Sequence, residues 1–267
     1  MWGIIPAAGA GSRIQPLAFS KELLPVGTRV DNGVERPRAV SEYLVERMIL
    51  AGADKLCFVI SPAKTDILQY YGARLWGADI TYVVQPAPGG LCDAIFRSVP
   101  FIHSEESVLI GLPDTIWLPQ NSLAQLPDDV LSLLLFPVDH PELFDAVSTD
   151  DDGNVQRIHV KQRSAPTNWI WGAVKMPGQV FHQLHDLWRS PGHGDEYLGT
   201  LINAWLAEGG RAVGVRRGQQ YVDTGTLHGY RSAIHLLEQQ SDPSNRIESS
   251  SEEEATSRNE FNVANRA

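Results

Sequence analysis

Apolar positions along this chain follow two rhythms. Short unbroken runs occur at 2–6 (WGIIP), 55–60 (KLCFVI), 80–85 (ITYVVQ) and 107–112 (SVLIGL). They have the density of strands buried on both faces. Between them, residues 38–51 and 63–71 space apolar side chains three and four apart, as amphipathic helices do, and Gly52 closes the first. Another helix opens at Gly89-Gly90 and continues through LCDAIFRSV. Alternation of this kind predicts an α/β fold, a mixed, mainly parallel sheet with helices on both faces.

Beyond residue 130 the rhythm becomes less regular. LSLLLFPV (131–138) and WIWGAVKM (169–176) read as strands, and AVSTDDDGNVQRIHV (146–160) as a hairpin turning at Asp152-Gly153. Helices are expected at 178–189 and 196–208, strands in RAVGVRR and QYVD, and a last helix over 226–239. The segment GTRVDNGVE (27–35) reads as a further hairpin. From Ser241 the chain is rich in Ser and Glu and has little to bury, so the expectation is one domain over 1–240 and a disordered acidic tail over 241–267.

Composition narrows the function. The chain has 267 residues, 43% of them hydrophobic, enough for a sizeable core. A net charge of −10 argues against nucleic acid as a partner, because phosphate backbones demand a basic face. No run approaches the ~20 apolar residues of a membrane helix, and the start has no basic leader, so a cytoplasmic protein is expected. Cys57 and Cys92 sit in apolar runs and read as reduced core thiols. The eight histidines show no zinc spacing. STDDDGN resembles a calcium loop, but its twelfth position is His159 rather than Glu, so a hairpin turn is the better reading.

The candidate chemistry begins in IIPAAGAGSRIQPLAFSKELLPV (4–26). A turn poor in side chains between a first strand and the next element suits phosphate, whose oxygens accept from backbone N–H groups. Two common versions do not fit. A Walker loop requires Gly-Lys-Ser/Thr where this chain has Gly11-Ser12-Arg13, and a dinucleotide fingerprint requires a third glycine where Ile14 stands. A tight turn without a ligand remains the plain alternative. Arg13 and Lys21, two cations close behind the turn, favour a polyphosphate.

GAGSRIQPLAFSKELLPV resembles the opening motif of the sugar-1-phosphate nucleotidylyltransferases, in particular the glucose-1-phosphate thymidylyl- and uridylyltransferase branch. VVQPAPGGLCDAI, LIGLPDTIW, HVKQ and YVDTGT are similar to later motifs of that family, in the same order. The resemblance implies a three-layer Rossmann-like nucleotidyltransferase fold. It implies transfer of a nucleotidyl group from a nucleoside triphosphate, dTTP or UTP, to a sugar-1-phosphate, with release of pyrophosphate. Carried over residue by residue, it makes Arg13 and Lys21 catalytic. It places Ala8, Gly9 and Gly11 at the phosphates and Gln85 and Gly90 at the base. It assigns Lys161, Gly172 and Asp145 to the sugar-phosphate side, and Asp114 and Asp223 to Mg2+. A homo-oligomer is compatible with it.

Departures gather on the acceptor side. Val160 stands where the family has a sugar-binding Glu, Asp145 where it has Gly, and Thr115 where it has Asn. They imply an amino-, deoxy- or otherwise altered sugar-1-phosphate, or a related phosphate, as acceptor. A nucleotide-sugar-binding regulator on the same fold and a cytidylyltransferase are the alternatives that the residues leave open.

Overall fold

The computed structural model describes residues 1–241. The expected acidic tail lies outside the described residues, except for Ser241, which ends the last helix. In chain order the elements are β1 (Trp2–Pro6), β2 (Pro25–Asp31), β3 (Val34–Ala39), α1 (Val40–Leu50), β4 (Lys55–Ile60), α2 (Thr65–Tyr71), β5 (Arg74–Leu75), β6 (Ala78–Val84), α3 (Gly90–Phe96) and β7 (Ser107–Gly111). There follow β8 (Thr115–Leu118), β9 (Leu131–Pro137), β10 (Ala146–Thr149), β11 (Val155–His159), β12 (Trp169–Pro177), α4 (Gly178–Arg189), α5 (Leu198–Ala207), β13 (Ala212–Val215), β14 (Gln220–Asp223) and α6 (Leu227–Ser241).

The central sheet runs β11-β10-β12-β7-β1-β4-β6-β5, with β9 on β12 and β13 on β9. Strands β1, β4, β6 and β7 are parallel, and β12 is antiparallel to both β7 and β9. Neighbouring residues on each central strand serve opposite layers, as the pleat requires. Ile4, Cys57 and Ile110 pack with Phe96, Phe181 and Leu201 from α3, α4 and α5. Ile5, Phe58 and Leu109 pack with Leu44, Met48 and Ile67 from α1 and α2. Burial on both faces is why these strands read as unbroken apolar runs. Cys57 and Cys92 are buried free thiols, pushed up to about 12 by burial.

The hairpin expected at 27–35 is present and longer than its motif. It joins β2 to β3 through Asn32 and Gly33, both at positive φ (50° and 78°), the geometry that favours Asn-Gly in two-residue turns. Pairing of Pro25 with Ala39 keeps the chain extended to Ala39, so α1 starts two residues later than its apolar spacing predicts. The hairpin at 146–160 also forms. There Asp150 Oδ1 accepts from the N–H groups of Asp152 and Asn154, a turn role that leaves the calcium reading without support.

Strand β8 is absent from the sequence reading. It is four residues long, follows Pro113-Asp114 directly, and has no alternation to announce it. It pairs antiparallel with β14 in a separate two-stranded ribbon, with Asp223 opposite Thr115.

Candidate active site

That ribbon assembles the acidic pair. Asp114 immediately precedes β8, Asp223 ends β14, and their register sets them side by side. Thr224 fixes the arrangement, donating its N–H and its Oγ1 to the Asp114 carbonyl at 2.8 and 2.9 Å. The Gly225 N–H donates to Asp223 Oδ1 at 2.7 Å. A Cβ on Gly225 would stand 2.8 Å from Asp223 Oδ1, 3.2 Å from Asp114 Oδ2 and 2.8 Å from Arg13 Nη2. Two carboxylates and one cation therefore face a single small volume.

Both predicted cations reach this pair. Lys21 Nζ lies 2.5 Å from Asp114 Oδ2, and Arg13 Nη2 lies 3.3 Å from Asp223 Oδ2. Burial works against the Lys21 charge, but Asp114 outweighs it, and the ammonium titrates above the usual lysine range. Gly11 is not among the residues lining the cleft under the turn. It sits at φ 66°, where a Cβ would come within 2.8 Å of Lys21 Cδ, so its missing side chain makes room for that lysine.

A cleft of about 900 Å³ opens under the turn, lined by Ala8, Gly9, Gln85 and Gly90 as predicted, and also by Lys64, Asp66 and Glu196. Gln85 is buried, and its Nε2 donates to Asp93 Oδ2 at 2.7 Å and to the Gly90 carbonyl at 3.2 Å. With the amide hydrogens engaged there, Gln85 Oε1 is the atom left to accept from a ligand. Gly90 has φ 83°, and a Cβ on it would stand 3.0 Å from Glu196 Cα. The Glu196 carbonyl accepts the N–H groups of Leu91 and Cys92, so Glu196, unremarked in the sequence, braces this wall.

Asp114 and Asp223 are not among the residues lining that cleft; they line a separate cavity of about 150 Å³, together with Arg13, Asp145, Lys161, Trp171 and Tyr221. Asp145 Oδ1 accepts the Lys161 N–H at 3.2 Å, and Lys161 takes φ 50° to make the turn. Burial pushes the Asp145 carboxyl up, against the opposing pull of Lys161. Trp171 Nε1 is buried with no partner at hydrogen-bonding distance, although it faces Asp145 closely enough to favour the ionised carboxyl. Gly172 lies outside this cavity. It is the bulge where β12 shifts register on β9, and a Cβ there would meet the Phe136 and Tyr221 rings at 2.6 and 2.7 Å.

Val160 is turned away from the cavity and joins the core beneath α5. Its Cγ2 is 2.8 Å from where a Cβ on Gly199 would stand. Thr115 donates its Oγ1 to the Leu112 carbonyl. Tyr221, missed in the sequence, lies two residues before Asp223 on β14, so strand alternation from Asp223 would have found it. Burial and the nearby Asp223 and Asp114 raise its phenol well above the ordinary tyrosine range.

A larger cavity of about 1020 Å³, bordered by α4, α5 and β13, contains none of these groups. One of about 660 Å³ shares Arg13, Phe144, Tyr221 and Asp223 with the small cavity and extends along α6.

The profile of the nucleotidyl transferase family matches residues 2–240. The chain belongs to this family. Within it, the chain is 27% identical over 252 residues to a glucose-1-phosphate thymidylyltransferase of Xanthomonas campestris pv. campestris, covering 88% of this chain and 80% of the relative. It is 26% identical over 220 residues to a UTP–glucose-1-phosphate uridylyltransferase of Haloferax volcanii, covering 80% and 86%. The fold is that of a solved UDP-glucose pyrophosphorylase from Acinetobacter baumannii, with a TM-score of 0.69 at 23% identity over 87% of this chain and 91% of that one. The protein is a nucleotidyltransferase of the sugar-1-phosphate nucleotidylyltransferase family. Among the described residues no helix is long and apolar enough to cross a membrane.

Among the described residues no group of three or more His, Cys, Asp or Glu is placed to hold a metal. Magnesium prefers oxygen ligands and is commonly held by one or two carboxylates plus substrate phosphates. Asp114 and Asp223 supply that complement.

Proposed function

We propose that this nucleotidyltransferase joins a nucleoside triphosphate, dTTP or UTP, to a sugar-1-phosphate or closely related phosphate. The observation that carries the reading is the convergence of Asp114 and Asp223, each met by one cation, at the small cavity that Asp145 and Lys161 also line. An oxygen of the acceptor phosphate forms a bond to the α-phosphorus as the bond from that phosphorus to the bridging oxygen breaks, and pyrophosphate leaves with the electron pair. No covalent enzyme intermediate is required. Catalysis comes from positioning and from charge placed where charge develops.

Ala8 and Gly9 present backbone to the triphosphate, and Gln85 and Gly90 border the base. Lys21 places a point charge at the α-phosphate. Arg13, exposed and held by one carboxylate, forks two donors onto the leaving pyrophosphate. Asp114 and Asp223 would hold Mg2+, which would neutralise charge shared by the two anions. Lys161 draws the acceptor phosphate toward the reacting phosphorus. Asp145 sets a carboxylate in the small cavity where the resemblance implies a glycine, which favours an altered sugar-1-phosphate over glucose-1-phosphate.

A pyrophosphate-release screen of the four common nucleoside triphosphates and dTTP against a panel of sugar-1-phosphates, with and without Mg2+, tests the reading. Release that requires a triphosphate, an acceptor and Mg2+ together is expected. Tight nucleotide-sugar binding with no release under any pairing would replace it with the regulatory reading.

A further inference from the structure

Lys64, immediately before α2, is buried, and the chemistry proposed above has no use for its charge. Its ammonium donates to the Ala7 carbonyl at 2.7 Å and to both oxygens of Glu22 at 2.7 and 2.8 Å. Glu22 is 1% exposed. Withdrawing two charges from water is expensive, and an apolar pair of similar volume commonly stabilises a core as well or better. The ion pair therefore calls for an explanation beyond core stability.

Its two ends supply one. Ala7 follows β1 and begins the glycine-rich turn; Glu22 follows Lys21. One ammonium with three donors thus ties the turn to the segment that carries the catalytic lysine. The same segment is held at two more points. Asp66 accepts from the Ser20 N–H and the Ser20 hydroxyl, both at 2.6 Å, and Ser41 Oγ donates to the Glu22 carbonyl at 2.6 Å. The residues flanking Lys21 are thereby fixed to α1 and α2, while its own ammonium reaches out to Asp114. Lys64 also cancels a buried negative charge one residue from the lysine that must attract phosphate.

We propose that Lys64 is a positioning residue that sets the spacing between the glycine-rich turn and Lys21, with Asp66 as its auxiliary. The proposal rests on the nucleotidyl-transfer reading of Lys21. Misplacement by about 1 Å costs a reaction on the order of 10²-fold, so the effect falls on turnover.

The test compares wild type with Lys64→Met, Lys64→Met/Glu22→Gln, Lys64→Arg and Asp66→Ala. Pyrophosphate-release kinetics, melting temperature, and amide hydrogen exchange at residues 7–13 and 20–24 of the free protein are measured for each. The double variant removes both charges with side chains of similar volume. We expect it to melt within a few degrees of wild type, to lose about 10- to 100-fold in kcat with little change in the KM for triphosphate, and to exchange faster in both segments. Lys64→Arg should recover part of the turnover. If the charge variants fail to fold, Asp66→Ala at its half-exposed site carries the test, with about a tenfold lower kcat expected. Wild-type kcat in the folded double variant or in Asp66→Ala, or a loss confined to KM, overturns the proposal. The exchange measurement uses no substrate. If wild type releases no pyrophosphate at all, the functional reading fails, while unchanged exchange in the variants separately refutes the role of Lys64.

Discussion

The cleft under the glycine-rich turn and the small cavity at the acidic pair are built differently. On the nucleotide side, the turn, Lys21, Gln85 and Gly90 match the family motif by motif, and each is braced by its neighbours: Gly11 by Lys21, Gly90 by Glu196, Gln85 by Asp93. On the proposed acceptor side, Asp145 stands where the resemblance implies a glycine, Val160 packs against the core, and the cavity measures about 150 Å³. On the proposed reading, the part that would handle the triphosphate matches the family motifs while the part that would admit the acceptor departs from them. Reaction type and acceptor choice are thus separable in this chain, as expected when function resides in sites grafted onto a common fold.

The sharpest way to break the comparison is at the boundary itself. Asp223→Ala should lower pyrophosphate release by at least about 10³-fold with an unchanged far-ultraviolet spectrum, because it removes one of two carboxylates that would hold the metal. Activity within tenfold of wild type would exclude a shared metal. Next in size, Arg13→Ala should cut kcat by about 10²-fold while the KM for triphosphate moves little, if Arg13 meets charge that develops only as pyrophosphate leaves. A raised KM at constant kcat would make it a binding residue.

Acceptor choice is the third test. Asp145→Gly restores the residue type of the family and should shift the preference between glucose-1-phosphate and its amino or deoxy analogues by about 10- to 100-fold, read by direct competition. Val160→Glu should leave that preference unchanged and cost about 1–3 kcal/mol of stability, since the new carboxylate enters the packing under α5. A changed preference in Val160→Glu with normal melting would put residue 160 back in the acceptor site.

The smallest effect is a pH dependence. The Asp145 carboxyl is raised by burial, so the folded state holds its proton more tightly than the unfolded state and loses stability as pH rises through the folded value. Asp145→Asn should therefore melt above wild type near pH 7, with the gain shrinking as pH falls toward ~4. An equal gain at both pH values would mean that charge is not its cause.

The parallel core was legible because strands buried on both faces leave unbroken apolar runs, and Gly52 and Asn32-Gly33 mark their turns by backbone geometry alone. What escaped has a common physical reason. β8 is too short for any period, and its identity as a strand comes from pairing with β14, far along the chain. The motifs singled out Asp114 and Asp223, which the structure brings together, but the partner that aligns them, Thr224, works through a backbone carbonyl that no side-chain pattern reveals. Val160 looked like a pocket residue because it precedes Lys161. A positive φ at Lys161 marks the turn there, and Val160 faces the core instead.

The β8–β14 ribbon also has a consequence for biosynthesis. The parallel strands β1, β4, β6 and β7 are complete by residue 111, yet the second carboxylate arrives only with residue 223. A nascent chain on the ribosome can pair its parallel strands and shape the turn long before it owns both acids. Until Glu196 arrives such an intermediate lacks one wall of the cleft, and until Asp223 arrives it lacks the means to spend a triphosphate. Translation order alone would then keep half-made copies from wasting nucleotide, and a stop codon anywhere before residue 223 should yield a silent protein rather than a leaky one.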